Sequence, residues 1–209
     1  MINLIINADD FGMSKVYNKY ILDLLFQKKI TSTTVMVNRI SDSQSEQVQQ
    51  LKTLLNNEDV SVGLHTEFTY DKHLEQVETQ YEKFINIFGL APSHIDIHKE
   101  HLHHKYHPVV AEFCDKKGIP FRNHGTQNAA KTTDAKYFYG SIPNFKDIED
   151  WIKSLSENKN YELVFHPGIY DKHCYSSLNK DRETDIEHIE KINSQLLNYN
   201  INLISFKQL

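Results

Sequence analysis

Short apolar or β-branched runs alternate with helical patterns along almost the whole chain, and this alternation restricts the fold more than any other feature. An apolar run at residues 2–8 ends in Asp9, Asp10 and the turn glycine Gly12. Ser14 is then placed to cap a helix over about 15–29, in which Tyr17, Ile21, Leu24 and Leu25 recur at helical spacing. The same unit repeats. Strands are predicted at 31–38, 59–65, 93–98, 119–122, 161–166 and 201–206, and helices at about 42–56, 73–88, 108–117, 146–156 and 182–199. A long loop from 123 to 144 carries Tyr137-Phe138-Tyr139-Gly140. Strands joined through helices imply right-handed crossovers and a mostly parallel sheet, which can stay open or close into a barrel. The 209 residues suffice for one core and require no second domain. Because polar residues stand at several nonadjacent strand ends, we expect an α/β fold of one domain over 1–209: an irregular seven-stranded (β/α) barrel.

Four of those strand ends carry chemistry: Asp9-Asp10, His65, His98 and His166. In a parallel barrel they gather on one rim. For an isolated Asp pair the bland reading is one helix cap and one solvated carboxylate, and the recurring strand-end histidines outweigh it. One carboxylate and two imidazoles bind a divalent cation while leaving positions open, as a catalytic site requires. Asp10, His65 and His98 are therefore the expected metal ligands. Asp9 is the expected base, kept ionised by the nearby cation, and His166 the group that hands a proton to the leaving atom. The chain has 12 histidines, and His94, His98, His101, His103, His104 and His107 crowd one stretch. Only His98 falls at a strand end. His104, His107 and His124 read as solvated or supporting residues, while His101 and His103 stay open.

With 23 basic and 28 acidic residues the net charge is -5, which disfavours nucleic acid and anionic lipid as partners. The first residues lack a basic leader, and no segment is apolar enough to span a bilayer. Only Cys114 and Cys174 are present, outside any CxxC pattern. These features lead us to expect a cytoplasmic protein with a small-molecule substrate, and they leave the oligomeric state open, a homodimer included.

The stretches Asn7-Ala8-Asp9-Asp10-Phe11-Gly12-Met13-Ser14, Thr31-Ser32-Thr33-Thr34 with Val37-Asn38, Gly63-Leu64-His65, His94-Ile95-Asp96-Ile97-His98 and Glu162-Leu163-Val164-Phe165-His166-Pro167-Gly168 resemble the successive motifs of the YdjC/ChbG-like carbohydrate deacetylases. Order and spacing agree over nearly the whole chain. The resemblance implies a hydrolase that removes acetyl groups from N-acetylated sugars such as chitooligosaccharides, on a distorted (β/α) barrel, with one divalent ion, Zn or Mg. It places the ligands on Asp10, His65 and His98, the base on Asp9, the His-Pro-Gly histidine on His166, and substrate contacts on Arg122, Tyr139 and Arg182. Tyr137 and Phe138 are further candidates to offer a ring face to a sugar. The chain departs from the pattern in three places: Lys99-Glu100 shifts His101 and His103 by one position, Glu67 replaces an uncharged residue, and the stretch after Thr69 is short. Two other classes fit the residues less well. A two-histidine, one-carboxylate iron oxygenase usually has a β-rich scaffold, and a silent sugar-binding protein would have no need of both Asp9 and His166.

Overall fold

The computed structural model describes residues 1–69, 72–126 and 130–209. Among these the order is β1 (Ile2–Phe11), α1 (Lys15–Phe26), β2 (Ser32–Val35), α2 (Ser45–Lys52), β3 (Ser61–Thr66), α3 (His73–Phe88), β4 (Ile95–Ile97), α4 (His107–Lys117), β5 (Phe138–Tyr139), α5 (Phe145–Ser154), β6 (Asn160–Phe165), α6 (Arg182–Asn193) and β7 (Ile201–Leu203). The strands run parallel in the order β4-β3-β2-β1-β6-β5, and β7 also pairs with β1. At 10 residues β1 is the axis of the sheet. One of its edges pairs with β6 through residues 3–8; the other takes β7 at residues 2–4 and β2 from residue 7 onward.

The expected seven-stranded, parallel, irregular barrel is the observed architecture, with one member exchanged. The run at 119–122 forms no strand: only Phe121 bridges, to Ile95. The fifth strand lies instead at Phe138–Tyr139, in the stretch read as a loop, paired with Leu163 and Val164 of β6. The 119–123 segment still spans the gap between the two ends of the sheet. Arg122 N–H donates to Ile95 O at 3.0 Å, and Tyr137 N–H donates to Asn123 O at 3.0 Å. Pro120 has no N–H to give, so this stave can make few ladder bonds.

Alternation along the strands divides the core. Leu4, Ile6, Ala8, Leu163 and Phe165 face the helices and belong to the main apolar cluster. Ile5, Ile204 and Phe206 form a smaller cluster on the inside. There the His94 ring stacks on Phe206 at 3.8 Å and 10°. Burial, with the Arg122 charge adding to it, holds His94 well below the usual histidine range, so it sits in the floor as a neutral ring. β3 makes room for it with Gly63, where a Cβ would lie 2.4 Å from the imidazole. Ser14 caps α1 as expected, accepting from Val16 N–H at 3.0 Å. Several helices stop short of the sequence reading: α1 ends at Phe26, α2 is preceded by a 3-10 turn at Asp42–Gln44, and α6 ends at Asn193. No helix among the described residues is long and apolar enough to cross a membrane.

Candidate active site

Strand alternation would send Asp9 and Asp10 to opposite faces. The β1–β2 register shifts between Ala8 and Phe11, and Asp10 has φ 73°, in the left-handed region that non-glycine residues seldom occupy. Gly12 follows at φ 99°, where an added Cβ would lie 2.9 Å from Met36 O. This irregular turn brings both carboxylates to the barrel mouth. Arg182, stacked on Tyr17 at 3.7 Å, fastens the turn by donating from Nη2 to Asp10 Oδ2 at 2.6 Å.

The other oxygen, Asp10 Oδ1, is buried without a hydrogen-bond partner among the described residues. It lies 3.5 Å from His65 Nε2 and 3.5 Å from His98 Nδ1, and the two ring nitrogens are 3.0 Å apart. Asp96 orients His65 through its other nitrogen, at 2.7 Å. Burial by itself would lower the His65 imidazole, but Asp96, Asp9 and Asp10 raise it well above the usual range. A carboxylate oxygen with no partner and two converging imidazoles, one of them fixed from behind by a carboxylate, fit a divalent cation. The three residues form one of the groups able to hold a metal.

Asp9 occupies a different environment. Its Oδ1 accepts from Asn7 Nδ2 at 2.6 Å, Thr34 Oγ1 at 2.8 Å and Arg122 Nη2 at 2.8 Å, while Oδ2 accepts from Arg122 Nη1 at 2.9 Å. Burial opposes ionisation, yet the Arg122 guanidinium, His65 and His166 hold the carboxyl well below the ordinary range. Arg122 also pairs with Asp96 and donates from Nε to Glu162 at 2.8 Å. Burial raises Asp96, and raises Glu162 to about 7.

His166 Nε2 faces Asp9 Oδ2 at 3.8 Å. Its Nδ1 lies 2.8 Å from Ser141 Oγ, whose own proton goes to Asp185 Oδ2 at 2.5 Å. Ser141 can then only accept, so the ring proton sits on Nδ1 and the Nε2 lone pair points toward Asp9. Burial lowers His166 to about 4 and raises Asp185 to about 6.

Asp9, Asp10, His65, His98 and His166 line a cavity of about 750 Å³, with the exposed Leu102, Ile142 and Tyr175 at its margin. Asp9, Asp10, His65, His98 and His166 come together as the strand ends suggest. Tyr139 lines the cavity with its ring 5.3 Å from His166. Of the two arginines, Arg122 lines the cavity and Arg182 does not. Arg122, 2 % exposed, and Arg182, 1 % exposed, spend their guanidinium groups on carboxylates and so hold the site in shape. Phe138 turns away and stacks on Trp151 at 4.7 Å, whereas Tyr137 lines the cavity. His101 lines the cavity, while His103 packs near Phe68 and Tyr106. Glu67 pairs with Arg39 at 2.8 Å. Residues 70 and 71 of the short stretch after Thr69 lie outside the described residues. The sequence reading missed Asn7, Thr34, Ser141, Glu162 and Asp185. For Glu162 a signal existed, an acid sharing strand parity with His166; for Ser141 none did.

Known proteins resemble the chain over most of its length. A carbohydrate deacetylase from Clostridium beijerinckii is 31% identical over 99% of both chains. A chitooligosaccharide deacetylase from Yersinia pestis is 26% identical over 84% of this chain and 87% of its own. The crystal structure of a candidate cellobiose-phosphate cleavage protein from Enterococcus faecalis V583 superposes with a TM-score of 0.73 at 21% identity, covering 99% of this chain and 98% of that one. The model of the YdjC-like proteins matches residues 3–78 and 74–195, and the chain belongs to that family.

Proposed function

We propose that the protein is a metal-dependent carbohydrate deacetylase that hydrolyses the N-acetyl group of an amino sugar or short oligosaccharide such as a chitooligosaccharide. One juxtaposition carries the reading: Asp10 Oδ1, His65 Nε2 and His98 Nδ1 converge on one point, and the Asp9–His166 pair stands beside them. The activities named for the two curated relatives support it. A divalent ion, Zn or Mg, held by Asp10, His65 and His98 would polarise the amide carbonyl and stabilise the charge developing on its oxygen.

The remaining work belongs to side chains. Arg122, Asn7 and Thr34 keep Asp9 ionised and fixed, so Oδ2 is available as the base when water attacks the carbonyl carbon. His166 Nε2, across 3.8 Å, is the stronger base of the two and the natural resting place for that proton. From there the proton passes to the sugar nitrogen as the C–N bond breaks. Ser141 and Asp185 keep the imidazole in the tautomer this requires and stabilise it once charged. Tyr139 offers a ring face beside the reacting centre. The free thiols of Cys114 and Cys174 fit a cytoplasmic enzyme.

Acetate release from N-acetylglucosamine and its short β-1,4 oligomers, with Zn or Mg supplied, tests the reading. We expect turnover on at least one of them, and its loss in Asp9→Asn while the metal stays bound. A metal-loaded, folded sample that releases no acetate from any of these sugars would reject deacetylation.

A further inference from the structure

In the wall of the same cavity, which Glu100 lines, Glu100, His107 and His124 form a second group whose ligand atoms all lie within 4.8 Å of one another. Glu100 Oε2 is 3.4 Å from His107 Nε2 and 4.0 Å from His124 Nδ1, and the two rings are 4.6 Å apart. The His107 and His124 side chains are 1 % and 0 % exposed. Glu100 Oε2 and all four nitrogens of these two rings lack a hydrogen-bond partner among the described residues. Buried polar atoms are almost always paired, and each left unmade costs roughly 1–3 kcal/mol. Three of them, Glu100 Oε2, His107 Nε2 and His124 Nδ1, turn toward one another and call for an occupant.

The surroundings say what kind. The other Glu100 oxygen is held by Tyr137 Oη at 3.1 Å, with Lys136 Nζ at 3.9 Å, so Oε2 is aimed rather than loose. Each neutral imidazole has an N–H it could aim at Oε2, but contacts of 3.4 and 4.0 Å make neither a good hydrogen bond. Two buried imidazoles and a carboxylate are donors that suit a borderline-soft divalent cation such as Zn. On the solvent side His104, 63 % exposed, brings Nδ1 to 3.3 Å from the same Glu100 oxygen and can supply a fourth ligand. Four protein ligands make a closed site, which is structural rather than catalytic.

We propose that Glu100, His107 and His124, with His104 as the fourth ligand, form a structural zinc site. It ties together the turn after β4, the first residue of α4, the residue that follows the 119–123 stave and, through Tyr137, the lead into β5. This is the part of the barrel wall where the strands themselves pair least. The sequence reading assigned His104, His107 and His124 to solvent or support; His107 and His124 are instead buried and converge.

The test uses the full chain stripped with chelator, dialysed against Zn(II) alone and assayed for bound metal, with Co(II) absorption as a second readout. The unaltered protein should hold two equivalents. Asp10→Asn/His98→Gln should keep one, showing the intense visible bands of tetrahedral Co(II), and should melt at a higher temperature with Zn(II) than with chelator. Glu100→Gln/His124→Gln should also keep one. The inference is overturned if Asp10→Asn/His98→Gln, folded by circular dichroism, binds no Zn(II) or gives only weak octahedral Co(II) bands. Two equivalents retained by Glu100→Gln/His124→Gln would equally overturn it. Should that last variant fail to fold, the Asp10→Asn/His98→Gln protein decides alone.

Discussion

Three carboxylates, Asp9, Asp96 and Glu162, reach the single guanidinium of Arg122 inside the barrel, and one positive charge does not balance three negative ones at low dielectric. The shortfall settles on the acids with fewer donors. Asp9, with four hydrogen bonds to its two oxygens, stays ionised, whereas Glu162, with an unpartnered Oε2, is raised to about 7. Below its unfolded pKa of 4.5 Glu162 is protonated in both states. From there to about 7 the unfolded chain gives up the proton and the folded one keeps it, so stability falls as pH rises through that window. Relative to Glu162→Gln, the protein should lose up to about 3 kcal/mol between pH 4.5 and 7, read from urea unfolding at each pH. Parallel profiles would mean that Glu162 is ionised in the fold. Removing the cation instead strands the acids: Arg122→Met should cost about 3–5 kcal/mol at pH 7, and less at pH 5, where carboxylates take up protons more readily. The strand-end histidines were legible because each closes an apolar run. Asp185 was legible only in part, as a polar member of the Arg182, Asp185, Ile189 and Ile192 stripe that α6 buries. Its link to His166 through Ser141 is tertiary and left no spacing to read.

At the scale of elements, the long strands and capped helices followed from sequence pattern, and the short β5 did not. Two paired residues cannot display a period of two, so Phe138–Tyr139 looked like loop, while the apolar 119–122 run looked like strand and makes one bridge. Strand pairing there was settled by the ring's need to close rather than by local preference. β3 shows the opposite case, a regular strand with a gap built into it. Gly63→Ala pushes a methyl group into the His94 imidazole, which is clamped by Phe206 and cannot step aside. We expect a loss of about 1–3 kcal/mol, typical of overpacking, measured by thermal or chemical unfolding. An unchanged midpoint would show that the ring moves freely.

The whole molecule is a cup. Its outer wall is the apolar layer between strands and helices, its lip carries the acids and histidines, and its base is closed by the last residues of the chain. Phe206, 1 % exposed, lies under His94, and Lys207 Nζ donates to Leu55 O at 2.6 Å and Asn57 O at 2.9 Å, fastening this segment beyond α2. Phe206→Ala should therefore cost about 3–5 kcal/mol although it lies far from the lip, and denaturant unfolding will show whether it does. If the cost stays below about 1 kcal/mol, the terminal segment is a covering and not a support. A sealed base also governs traffic. On the deacetylase reading proposed above, a sugar chain lies across the opening with one substituent hanging down toward Asp9 and His166, and the released group leaves the way it came in.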